Sequence, residues 1–149
     1  SIIKFDLTSI PAGSTIKYSK MSLTAVTDLS TNARTFRVFR TLRVWVVNQV
    51  SWNNWKTGSA WQTAGGFGAL DCEQTDIGSR DFTATETLNA AKDFPLTASK
   101  IQEMIPSGVF TNNGFLIKAD TEDSDAYDFA TSENTTAGYR PSFVVIYHP

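Results

Sequence analysis

Hydrophobic and polar residues alternate along most of the chain, and this alternation is typical of β-strands. In the opening segment, Ile3, Phe5 and Leu7 share one side of the chain, which is the period-2 pattern of a half-buried strand. Residues 11–14 contain proline and glycine and therefore predict a turn. The same alternation resumes in residues 16–26, which predicts a second strand after the turn.

Runs of β-branched and aromatic residues predict further strands. Residues 35–47 carry three of the four arginines that lie between Arg34 and Arg43, and they read as one strand with basic side chains turned to solvent. The other predicted strands cover residues 77–83, 114–119, 128–133 and 141–148. The last of these is apolar on both faces, which is typical of a central strand in a sandwich.

Only one segment has helical spacing. Ile101 and Ile105 are four residues apart, Thr97 is a candidate N-cap, and the proline and glycine of residues 106–108 would end the helix. We therefore expect one short helix near 97–105. Short strands separated by loops predict an all-β protein, an antiparallel β-sandwich of jelly-roll type, formed as a single module by residues 1–149.

Composition narrows the classes of function. The chain has 149 residues, of which 41% are hydrophobic, enough to bury the core of one domain. Its net charge of −2 lacks the basic excess of nucleic-acid-binding proteins. No apolar run approaches the roughly 20 residues of a membrane-spanning helix. We expect neither a nucleic-acid partner nor membrane insertion.

Four blocks of the sequence resemble successive signature blocks of the DNRLRE domain, which overlaps carbohydrate-binding module family 96 and has related blocks in disaggregatase-type modules. The resemblance implies a β-sandwich module of secreted, usually bacterial or archaeal, multidomain proteins, some of which bind polysaccharide, including acidic polysaccharide such as alginate. It also implies that an N-terminal strand upstream of Ser1 is missing. The blocks are SIIKFDLTSIPAGSTI, VSWNNWKTGSAWQTAGG, NNGFLIKAD and YRPSFVVIY.

The tryptophan-rich segment of residues 50–68 is the first candidate binding site. A flat aromatic ring can bury the apolar face of a pyranose, and neighbouring amides can bond its hydroxyl groups. Trp55 and Trp61, with Asn54, have this chemistry. The alternative is that the rings only close one end of the sandwich, and we expect this structural role for Trp52.

Basic residues form the second candidate site. Arg37 and Arg43 have the same parity on the predicted strand and would project from one face, with Lys17 and Lys20 near them on the neighbouring segment. Guanidinium groups pair with carboxylates, so such a patch would suit a uronate or a sulfated sugar. Solvated side chains, or pairs with nearby acids, are the alternative.

The acidic residues near 120–128 are a candidate calcium site. The carboxylates of Asp120, Glu122, Asp123 and Asp125 could supply several of the six to eight oxygen ligands that calcium takes. The segment does not match an EF-hand, and a solvated loop is the alternative. No other cofactor is expected.

The sequence offers few residues that could act as a nucleophile or as a general acid or base. The single histidine, His148, lies at the end of the chain, and the single cysteine, Cys72, reads as a half-buried small residue. The acidic residues lie in one loop, whereas glycoside hydrolysis needs two carboxylates across a cleft. We therefore expect a protein that is not an enzyme.

Two functions fit these observations. The first is a carbohydrate-binding-type module of a secreted or surface multidomain protein, whose partner is a polysaccharide. The second is a structural or adhesion module, such as a virion decoration or fibre domain or a repeat of a cell-surface filament, whose partners are neighbouring subunits or domains. Both place the protein outside the cell or on a surface.

Overall fold

The computed structural model describes residues 1–30, 32–122 and 126–149. Within these residues it has ten β-strands, one α-helix (α1, Ala98–Gln102) and one 3-10 helix (Ala137–Tyr139). The strands are β1 (Ile2–Ile3), β2 (Thr15–Asp28), β3 (Arg34–Arg40), β4 (Asn54–Lys56), β5 (Ser59–Ala60), β6 (Gly78–Phe82), β7 (Ala91–Leu96), β8 (Phe115–Ala119), β9 (Tyr127–Phe129) and β10 (Ser142–His148).

The strands form two main sheets and one small hairpin. The first sheet has the order β1, β8, β3, β6, and the second has the order β10, β2, β7. β9 pairs with the end of β2, beyond the part that β10 covers, and β4 pairs with β5. Every pairing is antiparallel. The predicted all-β sandwich with one short helix is thus confirmed.

The core lies between the two main sheets. Alternate residues of β2 point inward, so Met21 and Leu23 are buried against Phe82 and Phe115 of the first sheet. The helix adds Ile101, which is fully buried. Such burial of large apolar side chains contributes about 1.5–3 kcal/mol for each side chain, so the alternation seen in the sequence accounts for the stability of the sandwich.

One side of the sandwich is closed by direct contact between the sheets. Gly78 of β6 lies so close to β7 that a Cβ on this glycine would be 2.3 Å from the carbonyl oxygen of Pro95. Only glycine permits this approach of the two backbones. The opposite side of the sandwich is formed by β1 and β10, the other edge strands of the two sheets.

The helix is shorter than predicted. It spans Ala98–Gln102, and Thr97 occupies the N-cap position without capping through its side chain. The Thr97 hydroxyl instead donates to the carbonyl oxygen of Ile77, which ties the helix to the first sheet. No helix in the part of the chain that the structure describes is long and apolar enough to cross a membrane.

Four strand predictions need correction, the first being the strand predicted for 128–133, which is only Tyr127–Phe129. The opening strand is only Ile2–Ile3, because residues 4–7 leave the sheet. The strand predicted for 35–47 ends at Arg40. β10, predicted to be central, pairs only with β2 in the described residues and is an edge strand.

Arg40, the last residue of β3, points inward. Its guanidinium group donates to Glu73 and to Glu103, each at 2.7 Å, and lies 3.9 Å from the ring centre of Phe110. Arg40 is only 1% exposed. A buried charge needs such partners, so this arginine joins β3 to the segments around it and is absent from the protein surface.

Candidate functional site

The tryptophan-rich segment lies on the outer face of the first sheet. Val38 and Ile117 point into the core, so their neighbours Phe39 and Leu116 point outward. The ring of Phe67 packs against Phe39 with the ring centres 4.8 Å apart. This contact lays the segment that follows β5 across the sheet.

The buried carboxylate of Asp71 organises this segment. It accepts hydrogen bonds from the backbone N–H groups of Gln62, Thr63 and Gly68 at 3.1–3.3 Å. Nε of Arg43 also donates to it, at 3.2 Å. Burial would raise the pKa of Asp71, but these four donors outweigh burial and hold the pKa below its ordinary value. Asp71 therefore remains ionised and fixes the loop.

Trp61 is not a sugar-binding platform. It is only 8% exposed, and its indole N–H donates to the carbonyl oxygen of Ser51 at 2.9 Å. Gly66 lies against the indole, where an added Cβ would be 3.4 Å from the ring. The expectation that this ring takes up a pyranose face is therefore wrong, because the segment folds back over the ring and buries it.

Trp52 is the exposed tryptophan, although the sequence predicted a structural role for it. Trp52 lies just before β4 and is 63% exposed. One part of the indole rests on Gly65, whose backbone N–H donates to the Trp52 carbonyl oxygen at 2.7 Å. Gly65 has a φ of +85°, and a Cβ there would be 2.7 Å from Cη2 of Trp52. The ring is thus held in place and open to solvent.

A cleft of about 370 Å³ lies beside this indole, and we call it the Trp52 cleft. It is lined by the polar residues Lys118, Thr121 and Glu122 and by apolar residues that include Ala119 and Phe129. Nζ of Lys118 is 3.4 Å from the Glu122 carboxylate. An aromatic ring next to hydroxyl, ammonium and carboxylate groups matches the surface that sugars need.

Trp55 and Asn54 lie on β4 and are half-buried. The Trp55 ring has the guanidinium carbon of Arg43 5.7 Å from its centre and Nζ of Lys56 4.6 Å from it. Its carbonyl oxygen accepts the N–H of Val46 at 3.1 Å. Cations therefore cover part of this ring, which makes it less available than Trp52 for a sugar.

The predicted basic patch is divided by the fold. Arg37 is on the outer face of β3, but Arg43 lies beyond the end of that strand and pairs with the buried Asp71. Lys17 and Lys20 belong to β2 in the other sheet, where Lys20 bonds Asp93 at 2.6 Å. The prediction that these cations form one surface is wrong.

A smaller cationic pair replaces that patch. Arg37 of β3 is directly opposite Lys118 of β8, and Lys118 also lines the Trp52 cleft. Like charges in opposite positions of a sheet repel each other. Asp76 lies 3.5 Å from Arg37 and compensates its charge, as Glu122 does for Lys118. These contacts are longer than a strong ion pair, and Arg37 keeps 42% of its side chain exposed.

The candidate calcium ligands are only partly described. Asp120 accepts the N–H groups of Thr35 and Thr121 at 3.3 and 2.9 Å, and Glu122 pairs with Lys118. In residues 1–30, 32–122 and 126–149, no group of three or more metal-binding side chains is placed to hold a metal ion. The other two candidate ligands, Asp123 and Asp125, lie outside the described residues, so the calcium site stays a prediction.

Sequence reasoning missed three contributors to this site. Trp52 was assigned to the scaffold, while Lys118 and Asp71 were not singled out. The available signal was the pair of glycines after Trp61, because consecutive glycines allow a chain to approach aromatic rings closely. Which tryptophan ring each glycine contacts depends on how the loop folds and cannot be read from the spacing of these residues in the sequence.

The comparisons with known proteins identify the family. Residues 1–145 match the model of the disaggregatase-related repeat domain. Neither the curated proteins nor the solved structures include a match to this chain. The disaggregatase-related part of the resemblance noted in the sequence is therefore confirmed. A repeat domain of this kind is one module of a larger protein, and the chain belongs to the disaggregatase-related repeat domain family.

Proposed function

We propose that this domain is a non-catalytic carbohydrate-binding module of a secreted or surface-exposed protein. The observation that carries the proposal is the Trp52 indole, which is 63% exposed and yet held by Gly65. An aromatic ring that is exposed and fixed offers a flat apolar face on which a sugar can stack. Because the ring is already fixed, binding a sugar loses little side-chain entropy.

The favoured ligand is an acidic polysaccharide. Arg37 and Lys118 are neighbours on adjacent strands, and their partners Asp76 and Glu122 are 3.5 and 3.4 Å away. A ligand carboxylate would add a second anion to this pair, and guanidinium binds carboxylate in a bidentate manner. The resemblance to the DNRLRE domain and to carbohydrate-binding module family 96 favours the same ligand class.

Binding to immobilised polysaccharides tests the proposal. We expect the chain to be retarded in affinity electrophoresis through gels that contain alginate, more than through gels that contain a neutral glucan. Trp52→Ala should weaken binding about tenfold or more, since covering a large apolar side chain contributes on the order of 1.5–3 kcal/mol. Tyr18→Ala is the matched control, because Tyr18 is 41% exposed on the other sheet.

Salt dependence separates the acidic ligand from a neutral one. Ion pairs between exposed groups are screened when salt is added, so affinity for alginate should fall between about 50 and 500 mM salt. Arg37→Ala should weaken binding to the acidic polymer, and the remaining affinity should fall less steeply as salt is added. Retardation that does not change with salt concentration would indicate a neutral sugar.

The alternative function is a structural or adhesion module without a sugar ligand. The exposed side chains of Val144 and Ile146 on β10 favour it, because apolar residues on a sheet edge suit contact with other protein. This alternative is supported against the carbohydrate-binding proposal if no acidic or neutral polysaccharide retards the chain. In that case Trp52→Ala should also migrate at the same rate as the unaltered chain.

A further inference from the structure

A cationic row crosses the outer face of the first sheet. It consists of Lys118 on β8, Arg37 on β3 and Ser79 on β6, which lie side by side because Arg37 pairs with both of the others. Adjacent strands are about 4.8 Å apart, so the two cations are close neighbours. Ser79 is exposed, and the row is therefore open to solvent at its β6 end.

An acidic row runs beside the cationic row on the same face. Thr35 of β3 is directly opposite Asp81 of β6. On its other side the N–H of Asp120 donates to the Thr35 carbonyl oxygen at 2.9 Å, which continues the ladder beyond the end of β8. Thr35 is two positions before Arg37, so the two rows are about 7 Å apart. The carboxylates of Asp81 and Asp120 are both exposed.

Neutral groups hold the two carboxylates of the acidic row. Asp81 accepts the hydroxyl group of Thr35 at 2.6 Å. Asp120 accepts the N–H groups of Thr35 and Thr121 at 3.3 and 2.9 Å. A neutral donor fixes a carboxylate without cancelling its charge. Each cation of the other row already faces one carboxylate of its own, so anionic groups surround the cationic pair.

We propose that the acidic row makes this site selective for uronate polymers, which carry one anionic group on each sugar, and disfavours densely sulfated polysaccharides. This inference rests on the proposed binding of an acidic polysaccharide and names its class. One ligand carboxylate lies between Arg37 and Lys118, on the sugar next to the ring that stacks on Trp52. Any second anionic group on the same sugar approaches Asp81 or Asp120, because the acidic row is only about 7 Å away.

Repulsion from the acidic row is large enough to discriminate between the two polymer classes. Two like unit charges about 7 Å apart in water lower an affinity about threefold. A sulfated polymer that meets both carboxylates therefore loses about tenfold. Rejecting the wrong ligand through like charges is a general source of specificity. Because added salt screens such charges, the difference should be greatest at low salt.

Affinity for alginate and for dextran sulfate, measured at about 50 mM salt, tests the proposal. We expect alginate to bind about tenfold or more tightly than dextran sulfate. The test variant combines Asp81→Asn with Asp120→Asn, because an amide oxygen still accepts the hydrogen bonds while the charge is removed. Its affinity for dextran sulfate should rise about tenfold and its affinity for alginate less than about threefold. Asp128→Asn is the matched control, since Asp128 is exposed on β9 outside the first sheet, and it should change neither affinity.

The outcomes separate this inference from the proposed function. The selectivity is overturned if the unaltered chain binds dextran sulfate as tightly as alginate, or if the double variant gains equally for both polymers. Carbohydrate binding then still stands. Binding to a neutral glucan alone overturns the acidic ligand and, with it, the selectivity. If alginate, dextran sulfate and a neutral glucan all fail to bind, the proposed function itself is wrong, and this inference falls with it.

Discussion

Nε of Arg43 lies 3.2 Å from Oδ1 of Asp71, a carboxylate that is fully buried beneath the tryptophan-rich segment. The two residues are 28 positions apart in the chain. The same carboxylate accepts three backbone N–H groups of that segment. This single side chain therefore fixes three points of the loop whose Gly65 contacts Trp52.

Replacing Asp71 should destabilise the protein. In Asp71→Asn one carboxylate oxygen becomes an NH₂ group that cannot accept, so at least one buried N–H loses its partner. We expect a loss of about 2–4 kcal/mol in the free energy of unfolding, measured by urea denaturation. Asp76→Asn is the control, since the Asp76 pair with Arg37 is partly exposed and should contribute less than about 1 kcal/mol. Equal losses in the two variants would contradict the central role of Asp71.

Stability should fall in acid because several carboxyl groups have depressed pKa values, among them the buried Asp71 and Glu86. Burial would raise the pKa of Asp71 and of Glu86, but N–H donors and Arg43 lower the first below 3.8, and Lys92 with the N–H of Thr83 lowers the second below 4.5. When the folded pKa is the lower one, the stabilisation is present above the unfolded pKa and is lost as pH falls through the folded value.

The measurement is the free energy of unfolding as a function of pH. We expect little change between about pH 7 and pH 5 and a steep fall below about pH 4.5. Asp71→Asn should flatten part of that fall, because it removes one of the carboxyl groups whose pKa is depressed in the folded state. A wild-type curve that rises toward acid would show that these carboxylates are not held in the ionised form.

A methyl group at Gly65 should disturb Trp52 specifically. Gly65 and Gly58 both have positive φ, at +85° and +72°, so alanine at either costs about 1 kcal/mol of backbone strain. Only at Gly65 would the new Cβ meet the indole, because nothing lies within 4 Å at Gly58. We expect Gly65→Ala to shift tryptophan emission and weaken polysaccharide binding, while Gly58→Ala changes neither. Similar effects in both variants would mean that strain alone is responsible.

Cys72 should be chemically inert in the folded protein. It is fully buried, and burial with the neighbouring carboxylates of Asp71 and Glu73 raises the pKa of its thiol to about 12. The thiolate is the reactive form, so a disulfide reagent at about pH 8 should label the native protein very slowly and the unfolded protein fast. Val109→Cys provides the control, since Val109 is 92% exposed. Fast labelling of native Cys72 would show that the outer layer of the first sheet opens readily.

Much of the fold followed from local patterns. The alternation around Met21 and the apolar run of β10 predict strands, because a side-chain period of two is a property of the extended backbone itself. The short helix and the turn before β2 are equally local. The length of each strand is not local, and β3 ends where Arg40 finds Glu73 and Glu103 on other segments.

The sequence by itself therefore determined the fold class, the family and the presence of a tryptophan-rich segment. Only the tertiary structure decided which ring is exposed, because Gly65 and Gly66 place Trp52 outside and Trp61 inside. It also decided that Arg43 serves the loop through Asp71, while Arg37 meets Lys118. These choices depend on contacts between residues far apart in the chain, and no periodicity encodes which side chains such contacts bring together.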